Sequence, residues 1–485
     1  MSFSDPPLPP LPDAFIQRIN RQMGPESSSF LETLNDPSAT SVRINPFKVH
    51  HPDSFLAAFG EKPAHYENVP WSENGYYLNQ RPSFTHDPRH HAGCYYVQEA
   101  SSMFLEYLIR QTGLQLHNGT ILDACASPGG KTTLLSALFP DALIVANEVI
   151  RSRTPALLHN VQRWGMGNTV VTHSETHRFR QLSGFFDLVL ADVPCSGEGL
   201  FRKSPASRTE WTREKAHHCA VRQQSILSDL WECIRPGGYL IYTTCTYNPE
   251  ENEGNLSAFL EQTGGIPSGI TLTGNERFHL KESSSEKDTH QRESVRIIQS
   301  HNHTGYAFYP HLTKGEGFFI SVLQKPSDAR LSYTSAKGFS NKKWIQPETS
   351  LRKKAQEWLH STDPGWFQIK DRIFHLPKRH LSTLETLSSA LSVLYAGTET
   401  ARMAGKDLRP AAPLALDIHL NPEAFPVLSF SLEEALSFLK CETLRVPERG
   451  KGWYLACYEG YPLGWLKHIG TRMNNYHPKE WRILK

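Results

Sequence analysis

Long apolar runs are missing from this chain. Nowhere in its 485 residues does an apolar stretch approach the ~20 that a membrane span requires, so no membrane association is expected. Cysteine is sparse, 8 in all, and no two stand as Cys-x-x-Cys. That spacing argues against a disulfide framework and a zinc ribbon, and no metal site is expected. The opening Met1-Ser2-Phe3-Ser4-Asp5-Pro6-Pro7 lacks a basic stretch followed by an apolar core. An export signal is therefore not expected, and reduced thiols in a cytoplasmic protein are. Charge of neither sign is in excess, with 51 Lys+Arg against 49 Asp+Glu. A near-neutral total does not exclude a nucleic-acid partner, because it can hide a basic face. There is no internal repeat.

What is present reads as several domains, about three at ~150 residues each. Residues 13–34 carry helical apolar spacing, and Thr40 to Pro46 reads as a short strand. From Gln98 onward strands and helices alternate. Strands are expected at 120–124, 142–146, 169–172, 187–191 and 239–242, with helices at 131–138, 152–164 and, unbroken, 208–234. Such alternation predicts an α/β fold with a mostly parallel sheet covered on both faces. Arg235-Pro236-Gly237-Gly238 reads as a turn, and the polar residues 264–300 as a mobile insertion. Two hairpins are expected in the tail, around Lys370-Asp371 and around Glu459-Gly460.

The segment Asp123-Ala124-Cys125-Ala126-Ser127-Pro128-Gly129-Gly130-Lys131-Thr132 follows a strand and opens a helix. Glycines let a backbone approach a ligand, and a helix start offers free N–H groups. It is not a P-loop, since Cys125 stands where that motif needs glycine. Spacing alone leaves open a nucleoside cofactor or a structural turn. Glu148, at the end of the next strand, adds the acid that takes ribose hydroxyls in dinucleotide folds; helices also favour such an acid near their start.

Cys195 lies in Ala191-Asp192-Val193-Pro194-Cys195-Ser196-Gly197-Glu198-Gly199, and Cys245 in Thr243-Thr244-Cys245-Thr246. Each follows a strand-like run, so both thiols should face the crevice at the carboxyl ends of the sheet. With Tyr95 to Ser102 and His311 to Phe319, these motifs resemble the Sun-type (Fmu-like) RNA cytosine-5 methyltransferases over roughly residues 40–325. The resemblance implies a Rossmann-like domain using S-adenosyl-L-methionine, with Cys125, Ala126, Ser127, Pro128, Gly129, Gly130, Lys131, Glu148 and Asp192 about the cofactor. It implies Cys245 as nucleophile at C6 of cytosine and Asp192 on the base edge, protonated through burial. It implies Cys195 as the group that helps remove the C5 proton or expel Cys245. Relatives place Asp or Asn after the third strand for adenine; here Glu175 is the substitute, and His173 reads as a surface histidine.

Arg43 and Asn45 resemble a motif in the N-terminal module of that family, where RNA contact and a structural salt bridge are both open. Arg202 and Lys203 are candidates for phosphate. The tail, with Gly405 to Pro410, Pro462 to Lys467 and Met473 to Lys479, resembles that of bacterial RsmF-like rRNA methyltransferases, which ends in a PUA-like barrel; Lys467, Arg472 and Lys479 would then meet RNA. The expected organisation is an N-terminal α+β module (1–97), a methyltransferase domain (98–325), a linker (326–343), a small bridging region (344–400) and a PUA-like domain (401–485). The expected activity is cytosine-C5 methylation of rRNA, probed against tRNA methylation, amino methylation and a non-catalytic RNA-binding role. A monomer working on RNA or the small ribosomal subunit is expected.

Overall fold

The computed structural model describes residues 8–57, 59, 66–114, 116–263, 266–267, 272, 277–282, 293–300, 303–330, 344–360, 363–405, 407–444 and 450–484. The sheet expected from Gln98 onward forms. Its strands are β1 (Thr120–Asp123), β2 (Leu143–Asn147), β3 (Thr169–Thr172), β4 (Phe186–Asp192) and β5 (Ile234–Thr244). They lie side by side as β3-β2-β1-β4-β5, all parallel. Successive residues point to opposite faces, so each strand feeds two cores. Leu122, Val145, Val189 and Leu240 enter one apolar cluster, and Ile121, Ile144, Leu188 and Ile241 the other. Helices cover both faces: α1 (Gly130–Leu138) on the second, and α2 (Thr154–Trp164), α3 (Arg213–Cys233) and α4 (Glu253–Thr263) on the first. Both faces being dry explains why these strands are apolar without alternation.

Beyond β5 the sheet turns antiparallel. It continues through β9 (Phe318–Gln324), β8 (His303–Phe308) and β7 (Glu293–Ser300), each antiparallel to the one before, and ends in β6 (Phe278–Glu282), which lies parallel to β7. The polar segment 264–300, expected to be a mobile insertion, thus supplies β6, β7 and the two-residue strand Ile266–Pro267 beside β9; Phe278 and Val295 are completely buried in the second core. The rest of that insertion, and most of the expected linker at 326–343, lie outside the described residues. Arg235 to Gly238 is not a free turn. It lies within β5, which bulges against β4, and it exchanges hydrogen bonds of 3.0 and 2.9 Å with Lys325. The unbroken helix expected over 208–234 is two helices, Pro205–Glu210 and α3, with buried Trp211 between them.

The N-terminal helix Asp13–Met23 buries Phe15, Ile19 and Met23 in the first core, beneath the cysteine loops. A four-stranded sheet of residues 40–44, 66–68, 75–78 and 95–97 follows it. Both expected hairpins form, with Lys370 at φ 55° and Glu459 and Gly460 at φ 50° and 81° in the turns. A strand of the bridging region, β10 (Val393–Ala396), pairs antiparallel with β3 and extends the central sheet. The boundary expected between 400 and 401 is wrong. It cuts the strand Thr398–Ala404, which pairs with Arg372–Pro377 on one side and Asp407–Pro410 on the other. The last sheet, residues 427–430, 452–458, 461–468 and 473–475, shares its core with the N-terminal sheet: Leu428 and Phe438 lie in one cluster with Val42 and Ile44. Among the described residues no helix is long and apolar enough to cross a membrane.

Candidate active site

A cleft of about 1050 Å³ opens at the carboxyl ends of β1, β2, β4 and β5. The loop after β1 forms its floor. Ala126 N–H donates to Asn147 O at 2.8 Å, and Ser127 Oγ donates to Arg153 O at 3.0 Å. The Ser127–Pro128 peptide is cis. Gly129, at φ 110°, caps α1 in a conformation that L side chains rarely adopt. Cys125, Ala126, Ser127, Pro128, Gly130 and Lys131 all line the cleft. Burial pushes the Cys125 thiol up, so it stays neutral.

Two buried carboxyls stand at the β1 and β2 side of the cleft. Asp123 accepts from Thr132 Oγ1 at 2.6 Å, and burial raises it to about 7. Glu148 is 2% exposed and lines the cleft. Its Oε1 accepts from Ile150 N–H at 2.8 Å, whereas its Oε2 is buried without a hydrogen-bond donor, with Arg153 at 3.4 Å. A buried carboxylate oxygen lacking a donor fits a ribose hydroxyl. Ile150, which sequence reasoning missed, is 43% exposed yet lines the same cleft, an apolar plate for a flat base. Glu175 lines the cleft from an exposed position. His173 is half-buried, and its Nδ1 contacts Glu148 O at 2.9 Å, so it is a positioning contact rather than a surface residue.

The reacting half joins β4 and β5, whose Asp192 and Thr243 are register partners. Cys195 Sγ and Cys245 Sγ lie 3.0 Å apart. The hydrogen bond to Cys245, together with burial, raises the Cys195 thiol well above its ordinary value, so Cys195 keeps its proton and can donate it toward Cys245. Asp192 accepts from Lys131 Nζ at 2.8 Å and from Thr243 Oγ1 at 2.7 Å. Asp192 is not buried as the sequence reading expected: its side chain remains 33% exposed. Burial works to lower Lys131, but the charge and hydrogen bond of Asp192 outweigh it and leave it raised.

Two acids outside the expected set hold the cysteine loops. Glu251 is completely buried. It accepts from Ser196 N–H at 2.8 Å, from Ser196 Oγ and from Gln223 Nε2 at 3.2 Å, while Ser196 Oγ also meets Thr246 Oγ1 at 2.9 Å. The residues following both cysteines are thereby tied to one carboxyl, which burial raises to about 7. Glu198, also completely buried, accepts from Arg18 at 2.7 Å, Trp211 Nε1 at 3.0 Å and Tyr247 N–H at 3.1 Å. Gly199 N–H donates to Cys245 O at 2.9 Å, an approach that leaves no room for a Cβ. Glu198 stands inside the first cysteine motif, but nothing in the spacing marks Arg18 or Glu251.

Three expected RNA contacts are structural instead. Arg43 is 2% exposed and donates to Gln98 Oε1 and Thr133 Oγ1, both at 2.7 Å, with its guanidinium 4.5 Å from the Trp164 ring centre. Asn45 is fully buried and donates to Gly93 O and Trp164 O. Arg202 forms a buried two-point pair with Glu316 at 2.8 and 3.0 Å. None of these three can reach a phosphate. Lys203 lies on the cleft rim, 3.8 Å from Glu316, and Arg222 is exposed on the same cleft. In the tail, Arg472 and Lys479 are exposed, and Lys467 is half-buried against Trp453.

Three family models match consecutive parts of the chain. The model described as 16S rRNA methyltransferase RsmB/F matches residues 112–324. The N-terminal domain of 16S rRNA methyltransferase RsmF matches 11–100, and the methyltransferase RsmF PUA domain matches 425–483. Residues 112–324 are thus an RsmB/F methyltransferase domain, flanked by RsmF-type N-terminal and PUA domains. The chain is similar to the ribosomal RNA small subunit methyltransferase F of Aliivibrio fischeri (strain MJ11), 29% identical over 97% of each chain. Among solved structures it is similar to a methyltransferase homolog protein from Pyrococcus horikoshii, at 26% identity and TM-score 0.50, over 64% of this chain and 94% of that one. NSun6 from Pyrococcus horikoshii with SFG shares the fold at TM-score 0.52 and 19% identity, over 65% of this chain and 99% of that one.

Proposed function

We propose that the protein is an S-adenosylmethionine-dependent 16S rRNA cytosine-C5 methyltransferase acting through a covalent cysteine adduct. The observation that carries this reading is the 3.0 Å thiol pair beside the Lys131–Asp192 pair in one cleft. The ribosomal substrate rests on the relatives named as small-subunit rRNA methyltransferases, aligned over nearly their whole length, which favours rRNA over tRNA. The cytoplasm, where the ribosome is assembled, suits eight free cysteines.

Glu148 and the loop from Cys125 to Lys131 would hold the cofactor. When bound, S-adenosylmethionine supplies an electrophilic methyl group. C5 of cytosine is too poor a nucleophile to take it unaided. Cys245 Sγ adds to C6, and the C5–C6 π pair becomes available at C5 as an enamine. Asp192 accepts from the exocyclic amine, and the Lys131 ammonium bonded to it supplies the proton that Asp192 hands to N3, where charge develops; N3 returns it by the same route as the product forms. Once C5 carries the methyl group, Cys195 as thiolate takes the C5 proton. The C5–H electron pair then re-forms the C5–C6 bond and expels Cys245. For this step Cys195 must have lost its own proton: once Cys245 is bonded to C6 it no longer holds that proton, which passes to solvent in the open cleft, and the pair ends as it began, with Cys195 protonated and Cys245 the thiolate. The base must leave its stack to reach the cleft, and Lys203 and Arg222 on the rim would hold the flanking phosphates.

Incubating the Cys195→Ala variant with 16S rRNA and S-adenosylmethionine should trap a protein–RNA adduct that survives denaturing electrophoresis, and further replacement of Cys245 should abolish it. Failure to form an adduct with rRNA that the wild type methylates would sink the release role of Cys195.

A further inference from the structure

We infer that His375, Asp417 and His419 form a binding site for a divalent cation of the zinc type, at the joint between the bridging region and the methyltransferase domain. The ligand atoms of the three side chains all lie within 4.8 Å of one another. His375 comes from the strand Arg372–Pro377, and the other two from the segment that follows Leu416. Both Asp417 and His375 are buried, their side chains 0% and 4% exposed.

A network of plain hydrogen bonds does not account for the geometry. Asp417 Oδ1 meets His419 Nδ1 at 2.9 Å, but His375 Nε2 stops 3.7 Å from Asp417 Oδ2 and is a buried nitrogen without a hydrogen-bond partner. Buried polar atoms are seldom left so. The other ring nitrogen of His375 is engaged by Thr400 Oγ1 at 2.8 Å, which fixes the ring with Nε2 aimed at the carboxylate. A metal-bound imidazole is usually held in this way, its second nitrogen committed to a neighbour. Asp417 Oδ2 likewise accepts from Thr398.

Two imidazoles and one carboxylate are a zinc donor set that leaves a fourth position for water. Space for that position exists. Gly167, at φ 69°, faces the cluster, and a Cβ there would lie 3.4 Å from Asp417 Oδ2 and 3.9 Å from His419 Nδ1. A cavity of about 290 Å³ lined by Met166, His375 and His419 opens beside it, and His419 is 37% exposed on its side chain, which gives an ion a path in. The backbone at the joint is already close, with Ile418 N–H donating to Gly165 O at 3.0 Å. A bound ion would lock the His375 strand to the 417–419 segment, which that hydrogen bond ties in turn to the end of α2. The site is remote in sequence from the cysteines and takes no part in methyl transfer.

The full-length protein, stripped with chelator, is titrated with Zn²⁺ and separately with Co²⁺. The expected result is one equivalent bound and a rise in the thermal midpoint. The cobalt spectrum should show visible ligand-field bands without a sulfur-to-cobalt charge-transfer band. A Cys195→Ser/Cys245→Ser double variant should bind as the wild type does. His419→Ala should abolish binding, and Thr400→Val should weaken it about 10–100-fold as a lost second contact to the ligand ring. No uptake of either ion, a sulfur charge-transfer band, or uptake abolished only in the cysteine variant would each overturn the site. Because the wild-type cobalt spectrum decides on its own, the test stands even if the His419 variant fails to fold.

Discussion

Replacing Glu251 separates the charge of this carboxyl from its shape. In Glu251→Ala three donors lose their acceptor in a completely buried place: Ser196 N–H, Ser196 Oγ and Gln223 Nε2. A buried donor left unsatisfied costs about 1–3 kcal/mol. Ser196 Oγ can turn to Thr246 Oγ1, 2.9 Å away, so two losses remain, Ser196 N–H and one hydrogen of the Gln223 amide, whose nitrogen keeps Pro194 O at 3.0 Å, and the expected cost is about 2–6 kcal/mol. Glu251→Gln keeps an oxygen where Oε1 receives Ser196 N–H and Gln223. Its amide replaces Oε2 and donates to Ser196 Oγ, whose proton moves to Thr246. One amide hydrogen alone is then left without a partner, and at mildly acidic pH the change should cost about 1–2 kcal/mol.

The pH dependence follows from burial, which raises Glu251 from 4.5 to about 7 in the folded protein. The folded state therefore holds its proton where the unfolded chain has released it. Stability from this group is full below about pH 4.5 and is lost as pH rises through about 7, on the order of 2–3 kcal/mol between pH 5 and 8. Asp123 and Glu293, also raised to about 7, add the same slope to both proteins, so the difference between wild type and Glu251→Gln isolates Glu251. Urea unfolding at pH 5 and pH 8 measures it. The glutamine variant should gain on the wild type as pH rises. Steady-state methylation adds a second readout: Glu251→Ala should lose kcat about 100-fold through displaced cysteine loops, with cofactor affinity nearly kept. Equal stability of alanine and wild type, or a glutamine variant as damaged as alanine, would refute the assignment.

Gly199→Ala should push a Cβ to 2.6 Å from Gly317 O and 2.9 Å from Cys245 O. Overpacking of about 1–3 kcal/mol is expected together with a loss of kcat; a variant with wild-type turnover would show that the Cys245 backbone tolerates movement. Arg18→Ala should cost about 3 kcal/mol by stripping the cation from buried Glu198, the low end because Trp211 and Tyr247 still donate to it. Chemical denaturation checks this, and an unchanged midpoint would remove the N-terminal helix from loop positioning. Replacing Lys467, Arg472 and Lys479 together by alanine should lower the slope of log affinity for RNA against log salt by about 2, as three lost phosphate contacts predict; the same slope in both proteins would exclude the tail's basic side chains from RNA binding.

Local chemistry was legible in the sequence, and partnership across the chain was not. The strand-end positions of Cys195 and Cys245 follow from apolar runs ending in polar motifs, and the hairpins at Lys370 and Glu459 follow from turn residues that accept positive φ. Arg43 and Arg202 carry the same signature as RNA-facing arginines. What makes them structural is Gln98, Thr133 and Glu316, which only folding brings to them. Glu251 was hidden for the same reason, because its significance lies in Ser196 and Gln223 and not in its own neighbours.

That lesson bears on how the tail can be tested. Sequence boundaries invite deletion of 344–485 as a separable RNA-binding unit. Yet β10 caps the edge of β3, and Phe374, Leu384 and Leu387 sit in the same core as Val170 and Val171. The last sheet is equally bound in, since Leu428, Phe438 and Leu466 complete the core over Val42 and Ile44. Deletion would expose an unpaired strand edge and two apolar faces, so lost activity would report on unfolding and aggregation. Only substitutions confined to exposed cations leave those interfaces intact. The tail holds the sheet from one side while the N-terminal helix holds the cysteine loops from below. The catalytic domain is therefore braced by both ends of the chain, and its geometry is a property of the whole molecule.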